Sequence, residues 1–271
     1  MLLGALGGPG RGRKGVWMTR VFRFGPAVLP AVTTVEHQST TIISFVTDAD
    51  AVRWMLPSHF APAEQPVITF MHQALHNVDY MRGRGYNLLN VAVTATFDGE
   101  EGWLQAPFPL VIWENNTMPI IAGRELHGNP KIYGEVSDLD DGKGQVSFNV
   151  AEYGSTLVEG GVRALRESTQ DRLQRTNAGA SEARFFGWKY LPAADGSVDI
   201  DYPTLIRGAS HFERTWSGDG HLTLHTPTLE QAPYSAEVVA ALRELPHVQD
   251  RRGFYGIGTA KLFRDRTIRL R

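Results

Sequence analysis

Apolar and β-branched runs that read as strand make up most of this chain, and where apolar and polar positions alternate with period two they mark a strand with one buried face. "LLNVAVTATF" (88–97) carries that alternation, "TTIISFV" (40–46) is β-branched, and "ARFFGWKYLP" (183–192) reads as a strand. "PVITFMHQALHNVDYM" (66–81) begins as a strand, and "APFPLVIW" (106–113) and "MPIIAGREL" (118–126) are further apolar runs grouped with the strands. "GQVSFNVAEYGSTLVEGGVRAL" (144–165) reads as two strands around Gly154, and "HFERTWSGDGHLTLHTP" (211–227) as a hairpin turning at Gly-Asp-Gly.

Three helices interrupt the pattern. Asp48 caps a short one through "DADAVRWMLP", which Pro57 stops. "ESTQDRLQRTN" (167–177) is polar enough to lie on the surface. "SAEVVAALREL" (235–245) offers Ser235 as N-cap and puts Val239, Leu242 and Leu245 near one face. No linker-like stretch divides the middle and no repeat is visible, so residues 18–271 read as one β-rich α+β domain, an antiparallel barrel or sandwich. The first seventeen residues are rich in Gly, Pro and Arg and read as a disordered extension.

Composition narrows the partners. The chain has 271 residues, a formal net charge of −2 and no cysteine. The charge gives no electrostatic reason to expect nucleic acid or an anionic membrane. No apolar run reaches the ~18 residues of a membrane span. Without cysteine there is no disulfide, thiolate metal site or cysteine nucleophile, a composition compatible with a cytoplasmic location. The nucleophile elbow, the Walker A loop and the dinucleotide fingerprint are missing, and "GGPGRGRKG" (7–15) lacks the strand and helix a phosphate loop needs. His72 and His76, and again His221 and His225, are spaced to share a strand face, but no third metal ligand is evident.

The distinctive stretch is "GRELHGNPKIYG" (123–134). Pro130 stops any helix and biases Asn129 toward extended backbone, so Lys131 occupies a fixed position beside apolar residues. Two readings follow. The ammonium reaches water, as most lysines do, or desolvation disfavours the ammonium and leaves a neutral amine able to attack a carbonyl.

"GRELHGNPK" resembles the active-site stretch of the acetoacetate decarboxylase family, in which Gly-Arg-Glu-Leu is followed, three residues on, by Pro-Lys. "SFVTDADAVRWMLP" (44–57), "YLPAADGSVDIDYPTLI" (190–206), "ERTWSGDGHLTLH" (213–225) and "LRELPHV" (242–248) resemble further family elements in the expected order. The resemblance implies a closed, cone-like antiparallel barrel with peripheral helices, assembled as a homo-oligomer. It also implies that Lys131 forms an imine with a small keto acid, with no metal or organic cofactor. The resemblance further implies that desolvation or a cationic neighbour activates that lysine, as in acetoacetate decarboxylase.

The chain departs from the family where the pocket is polar. The second lysine of the decarboxylase is here Ile132, which leaves desolvation to act largely alone. The pocket arginine aligns with Gln38, and two pocket glutamates align near Met71 and Leu88, with Glu36 and Asn87 close by. Losing oriented polar groups lowers rates by around 10²-fold or more each. The departures argue against efficient acetoacetate decarboxylation and toward aldol–dehydration or other decarboxylation chemistry. The competing reading is a non-catalytic small-molecule binder on the same barrel. Other candidates for contacting substrate are His127, as acid/base or as a loop histidine, and Tyr255 in "GFYGIG", as a proton relay or a core tyrosine. Glu114 in "IWENN" is the nearest upstream carboxylate or an exposed turn residue. Arg124 and Glu125 are expected to hold the lysine loop.

Overall fold

The computed structural model describes residues 30–271; the extension expected over residues 1–17 lies outside them. The alternating segments form β1 (Val32–Val46), β2 (Ala61–Pro62), β3 (Val67–Val78), β4 (Tyr86–Gly99) and β5 (Gly102–Glu114). After these come β6 (Lys131–Tyr133), β7 (Glu135–Val136), β8 (Asp140–Gly142), β9 (Gln145–Glu152) and β10 (Ser155–Glu167). The chain continues with β11 (Ala183–Pro192), β12 (Val198–Leu224), β13 (Gln249–Asp250) and β14 (Gly253–Arg269). All belong to one sheet, whose main path runs β6-β5-β4-β3-β1-β14-β12-β10-β9-β7. Among the described residues every ladder is antiparallel except β5–β6, and none joins the β6 edge to the β7 edge. The result is a β-rich α+β fold.

The helices are α1 (Ala49–Arg53), α2 (Thr117–Ala122), α3 (Gln170–Ala180) and α4 (Ala236–Arg243). The carboxylate of Asp48 caps α1 by accepting from the N–H groups of Asp50 and Ala51. No residue of α3 is buried, as its polar sequence predicts. In α4, Ala236, Val239 and Leu242 are buried as one face. Ser235 precedes α4 but does not cap it with its side chain; its hydroxyl accepts a 2.9 Å bond from the indole N–H of Trp113. Both groups are fully buried, and an indole N–H without a partner is costlier than an uncapped helix end.

Two sequence expectations fail. Residues 118–126 are not strand. The Asn116 side chain accepts from the Met118 N–H, Pro119 falls in the first turn where its missing N–H costs nothing, and the segment coils. The glycines at 218 and 220 do not make a turn either, because β12 runs through them. A Cβ on Gly218 would overlap the Arg163 carbonyl, and one on Gly220 would lie 3.2 Å from Ile43 Cγ2. These glycines let layers approach closely.

The sheet's two faces do different things. Ile68, Phe70 and His72 of β3, Leu89, Val91 and Val93 of β4, and Val111 and Trp113 of β5 belong to the core face, which packs against α4. The intervening residues Met71, Gln73, Leu88, Asn90, Ile112 and Glu114 line a cavity on the other face. Strand parity alone separates them.

His72 is the buried histidine of β3, whereas His76, near the strand's end, is exposed. His72 is fully buried, stacks on Phe148 with centroids 4.8 Å apart, and places Nε2 2.9 Å from the Ser137 carbonyl. Burial lowers its pKa from 6.5 to about 4, against the raising effects of that hydrogen bond and of Asp138. The folded state therefore keeps His72 neutral where the unfolded chain binds a proton. Its contribution is complete above pH 6.5 and is lost as pH falls toward 4. The full difference is about 3 kcal/mol. Urea unfolding from pH 7 to pH 4 should show this loss, and His72→Gln should flatten the profile by a comparable amount.

Candidate active site

The cavity has a volume of about 360 Å³ and holds Lys131, Glu114, His127, Asn129 and Asn90 among its walls. Its apolar walls include Val35, Met71, Leu88, Ile112, Ala260 and Leu262. Local chain geometry brings Lys131 there. After α2 the residues Gly123–His127 form a π-helical turn, a device common at functional sites. Gly128, with φ 78°, closes it by donating to the Gly123 carbonyl. A side chain at 128 would be strained, and its Cβ would sit 2.6 Å from the Trp188 carbonyl carbon. Pro130 ends the coil, and its carbonyl accepts from the Ile112 N–H at 3.0 Å.

That bond starts the parallel pairing of β6 with β5, which sets Lys131 opposite Ile112 and Tyr133 opposite Glu114. Ile112, Glu114 and Lys131 thus share a face. The ammonium donates to Glu114 Oε1 at 2.6 Å and to the Pro119 carbonyl at 3.3 Å. Lys131 is 9% exposed and Glu114 0%. The other carboxylate oxygen, Oε2, is buried with no hydrogen-bond partner among the described residues; so are the side-chain oxygens of Asn90 and Asn129. The expected apolar lodging for the amine therefore contains a carboxylate. Ile132 does not line the cavity; it packs on the core face opposite Trp113 and leaves the lysine's surroundings to other residues.

Electrostatics follow from burial. Desolvation pushes the Glu114 carboxyl up, and the neighbouring Lys131 opposes the shift. Tyr80 and Tyr86, also in the cavity wall, are hydrogen-bonded to each other and raised first by burial and then by Glu114. His127 is lowered from 6.5 to about 4 by burial and then by the positive charges of Lys131, Arg264 and Lys189, so its imidazole is neutral near pH 7.

The acetoacetate decarboxylase family model matches residues 22–261. The chain belongs to the acetoacetate decarboxylase family. No curated protein matches the sequence significantly. A solved acetoacetate decarboxylase superimposes with a TM-score of 0.72 at 17% identity, covering 90% of this chain and 91% of that one. The acetoacetate decarboxylase from Legionella pneumophila subsp. pneumophila str. Philadelphia 1 gives 0.69 at 18% identity, with 88% of each chain covered. The enduracididine biosynthesis enzyme MppR complexed with pyruvate gives 0.64 at 15% identity, covering 90% and 92%. These likenesses establish the fold.

Within this family member, the residues singled out from sequence are distributed unevenly. Lys131, Glu114 and His127 meet in the cavity. Glu114 is wholly buried rather than in an exposed turn, because β5 extends through it. His127 lines the cavity through the π turn, not through extended-chain parity. Met71 and Leu88 line it too. Gln38 does not: its amide donates to the Thr259 carbonyl and accepts from Gln73, which does reach the cavity. Asn87 donates to Asp138 and the Val136 carbonyl, away from the cavity. Glu36, the candidate close to Gln38 in sequence, accepts from Asn77 at an exposed position. Tyr255 stacks on Trp216 at 5.1 Å in the main core cluster and is not a cavity residue. Arg124 donates to the Lys131 carbonyl at 3.0 Å, and Glu125 lies in the same π turn. Sequence reading missed Tyr80, Tyr86, Asn90 and Asn129; Tyr86 and Asn90 share strand parity with Leu88, Asn129 stands near Lys131, and Tyr80, in the turn before β4, carried no signal. Among the described residues no three metal-ligating side chains converge.

Removing one partner of a buried ion pair leaves an uncompensated charge and costs about 3–5 kcal/mol, whereas replacing both with apolar groups is often neutral. Glu114→Leu and Lys131→Met should each destabilise by about that amount, and the double variant should recover most of it. Chemical denaturation of the four proteins as a double-mutant cycle measures the coupling.

Proposed function

We propose that this protein is a carbon–carbon lyase that forms an imine between Lys131 and a small keto acid. The observation that carries the reading is a buried amine 2.6 Å from a buried carboxylate at the wall of a cavity. A proton on Nζ can pass to Glu114 Oε1 without crossing to solvent, which frees the nitrogen lone pair. That lone pair attacks the substrate carbonyl carbon; the oxygen takes two protons, one from the attacking nitrogen and one returned by Glu114, and leaves as water with the electrons of the C–O bond, which yields the protonated imine beside a carboxylate. The protonated imine withdraws electrons from the adjacent carbon, so a bond there can break: to carbon dioxide in a β-keto acid, or to a proton in a pyruvate-like acid.

We favour the second class of chemistry over acetoacetate decarboxylation. Met71 and Leu88 stand in the cavity wall where the family's glutamates align. A related fold is known as MppR with pyruvate and with the condensation product of pyruvate and imidazole 4-carboxaldehyde. His127, neutral and facing the same cavity, is proposed as a substrate contact, and Arg124 and Glu125 as supports of the lysine loop. For Gln38, Asn87 and Tyr255 a direct substrate contact is withdrawn, since none of the three lines the cavity. We further propose one domain over residues 18–271, supported by the single sheet, and the family's closed cone, supported by the packing of β11 against β5 and of β7 against β4 and β5. A homo-oligomer in the cytoplasm completes the proposal; no helix among the described residues is long and apolar enough to cross a membrane.

Borohydride reduction in the presence of pyruvate, acetoacetate and longer keto acids should leave a mass adduct on Lys131, lost in Lys131→Ala. No adduct across the panel would leave the binding-protein reading instead. A second variant tests the lysine's seat. A Cβ on Gly123 would overlap Lys131 Cε and lie 3.0 Å from Nζ, while the backbone at Gly123 is ordinary helix. Gly123→Ala should therefore keep the fold, displace the flexible lysine stem, and slow adduct formation about 10²-fold. Stopped trapping time courses, with thermal melts as the folding control, provide the check.

A further inference from the structure

We infer that Glu114 is a catalytic residue whose Oε2 carries the proton to and from the substrate's α-carbon, which makes the protein an enolising enzyme for ketones and keto acids that bear an α-hydrogen. The inference rests on the Lys131 imine proposed above, and it assigns the second half of the reaction.

The two oxygens of Glu114 are unequal. Oε1 accepts the Lys131 ammonium at 2.6 Å. Oε2 is buried in a fully buried residue and has no partner among the described residues, although Glu114 lines the cavity. A buried carboxylate oxygen ordinarily accepts at least one hydrogen bond, so an orphaned one beside a reacting amine calls for a functional reason. The spacing supplies one. In an imine, nitrogen and α-carbon are separated by one carbon, as the two oxygens of a carboxylate are. When Oε1 keeps its hydrogen bond to the imine N–H, Oε2 is carried toward the hydrogen on the α-carbon.

Tyr80, Tyr86, His127, Gln73, Asn90 and Asn129, which also line the cavity, suit this task less well. Tyr80 and Tyr86 are held protonated by burial and by Glu114 itself, so they donate rather than accept protons. His127 is made a poorer base by burial and by the cations around it, and its Nδ1 lies 3.4 Å from the Thr267 hydroxyl. Gln73, Asn90 and Asn129 carry no exchangeable charge. Burial shifts Glu114 the opposite way from His127, toward proton affinity.

Atoms and charge balance in this step. Oε2 takes the α-proton of the protonated imine. The C–H electrons become the new C=C bond, and the C=N π electrons return to nitrogen as a lone pair. The product is a neutral enamine beside a neutral Glu114 carboxylic acid. In the reverse direction the enamine carbon takes a proton from the acid. With an aldehyde present, the enamine carbon bonds to the aldehyde carbon instead, and the acid protonates the resulting oxygen. No oxidant, reductant or metal enters.

The test needs no knowledge of the natural substrate. Wild-type protein with pyruvate or acetone in D₂O should wash deuterium into the methyl group, followed as loss of the proton NMR signal, and Lys131→Ala should not. Glu114→Gln keeps the shape of the side chain but removes its basicity. Its exchange rate, divided by its rate of borohydride-trapped adduct, should fall about 10²-fold or more, the range for a positioned general base. Glu114→Asp, which retracts the carboxylate by one methylene, should show a smaller fall and serves if the Gln variant does not fold. An adduct without deuterium wash-in by wild type, or an unchanged ratio in the Glu114 variants, overturns the assignment and leaves the imine standing. Absence of any adduct in wild type overturns both.

Discussion

A single ion pair, Lys131 with Glu114, is the constraint around which this end of the sheet is organised. Neither group can sit in a dry cavity alone at acceptable cost. Their 2.6 Å contact requires a parallel β5–β6 pairing within an otherwise antiparallel sheet. A parallel neighbour needs a crossover between strands, and here α2 and the π turn provide a very short one. The tight turn then demands its own exceptions: a left-handed Gly128 against the Trp188 backbone, and a Gly123 with no Cβ where the lysine stem lies. The sequence motif is the record of these steric demands as much as of chemistry.

The pair also changes how the lysine is to be understood. A solitary amine in an apolar pocket becomes nucleophilic because its charged form is too costly. An amine bonded to a buried carboxylate has another route, in which the proton moves across one short hydrogen bond and the net charge of the site never changes. In this chain the lysine's charged neighbour is an anion, and the residue after the lysine, Ile132, packs on the core face. Such a site can pass a proton between its own groups without a change of net charge. That is the physical ground for favouring chemistry at an α-carbon over simple loss of carbon dioxide.

Strand parity does the remaining work. The same alternation that sends Phe70, Val91 and Trp113 into the core sends Met71, Leu88 and Glu114 into the cavity. The core face carries its own buried polar group in His72, held neutral against Phe148 and the Ser137 carbonyl. One face therefore packs the core and the other lines the cavity.

Much of this was legible in one dimension. Period-two alternation predicted the long strands, the Asp48 cap and the polar pattern predicted α1 and α3, and "GRELHGNPK" marked the lysine and its family. What escaped was one local cap and features set by partners distant in sequence. Coil over 118–126 depended on Asn116 and on Pro119 falling at a tolerated position. Continuity of β12 through Gly218 and Gly220 depended on how closely other strands approach. The choice of Glu114 over Gln38, Asn87 and Tyr255 as the lysine's companion depended on the register of β6 against β5. Local pattern determines which residues can be strand and which face they take, because alternation is a property of consecutive residues. Which faces meet, and which carboxylate meets the amine, is decided only when separate strands pair, because register is a relation between distant segments.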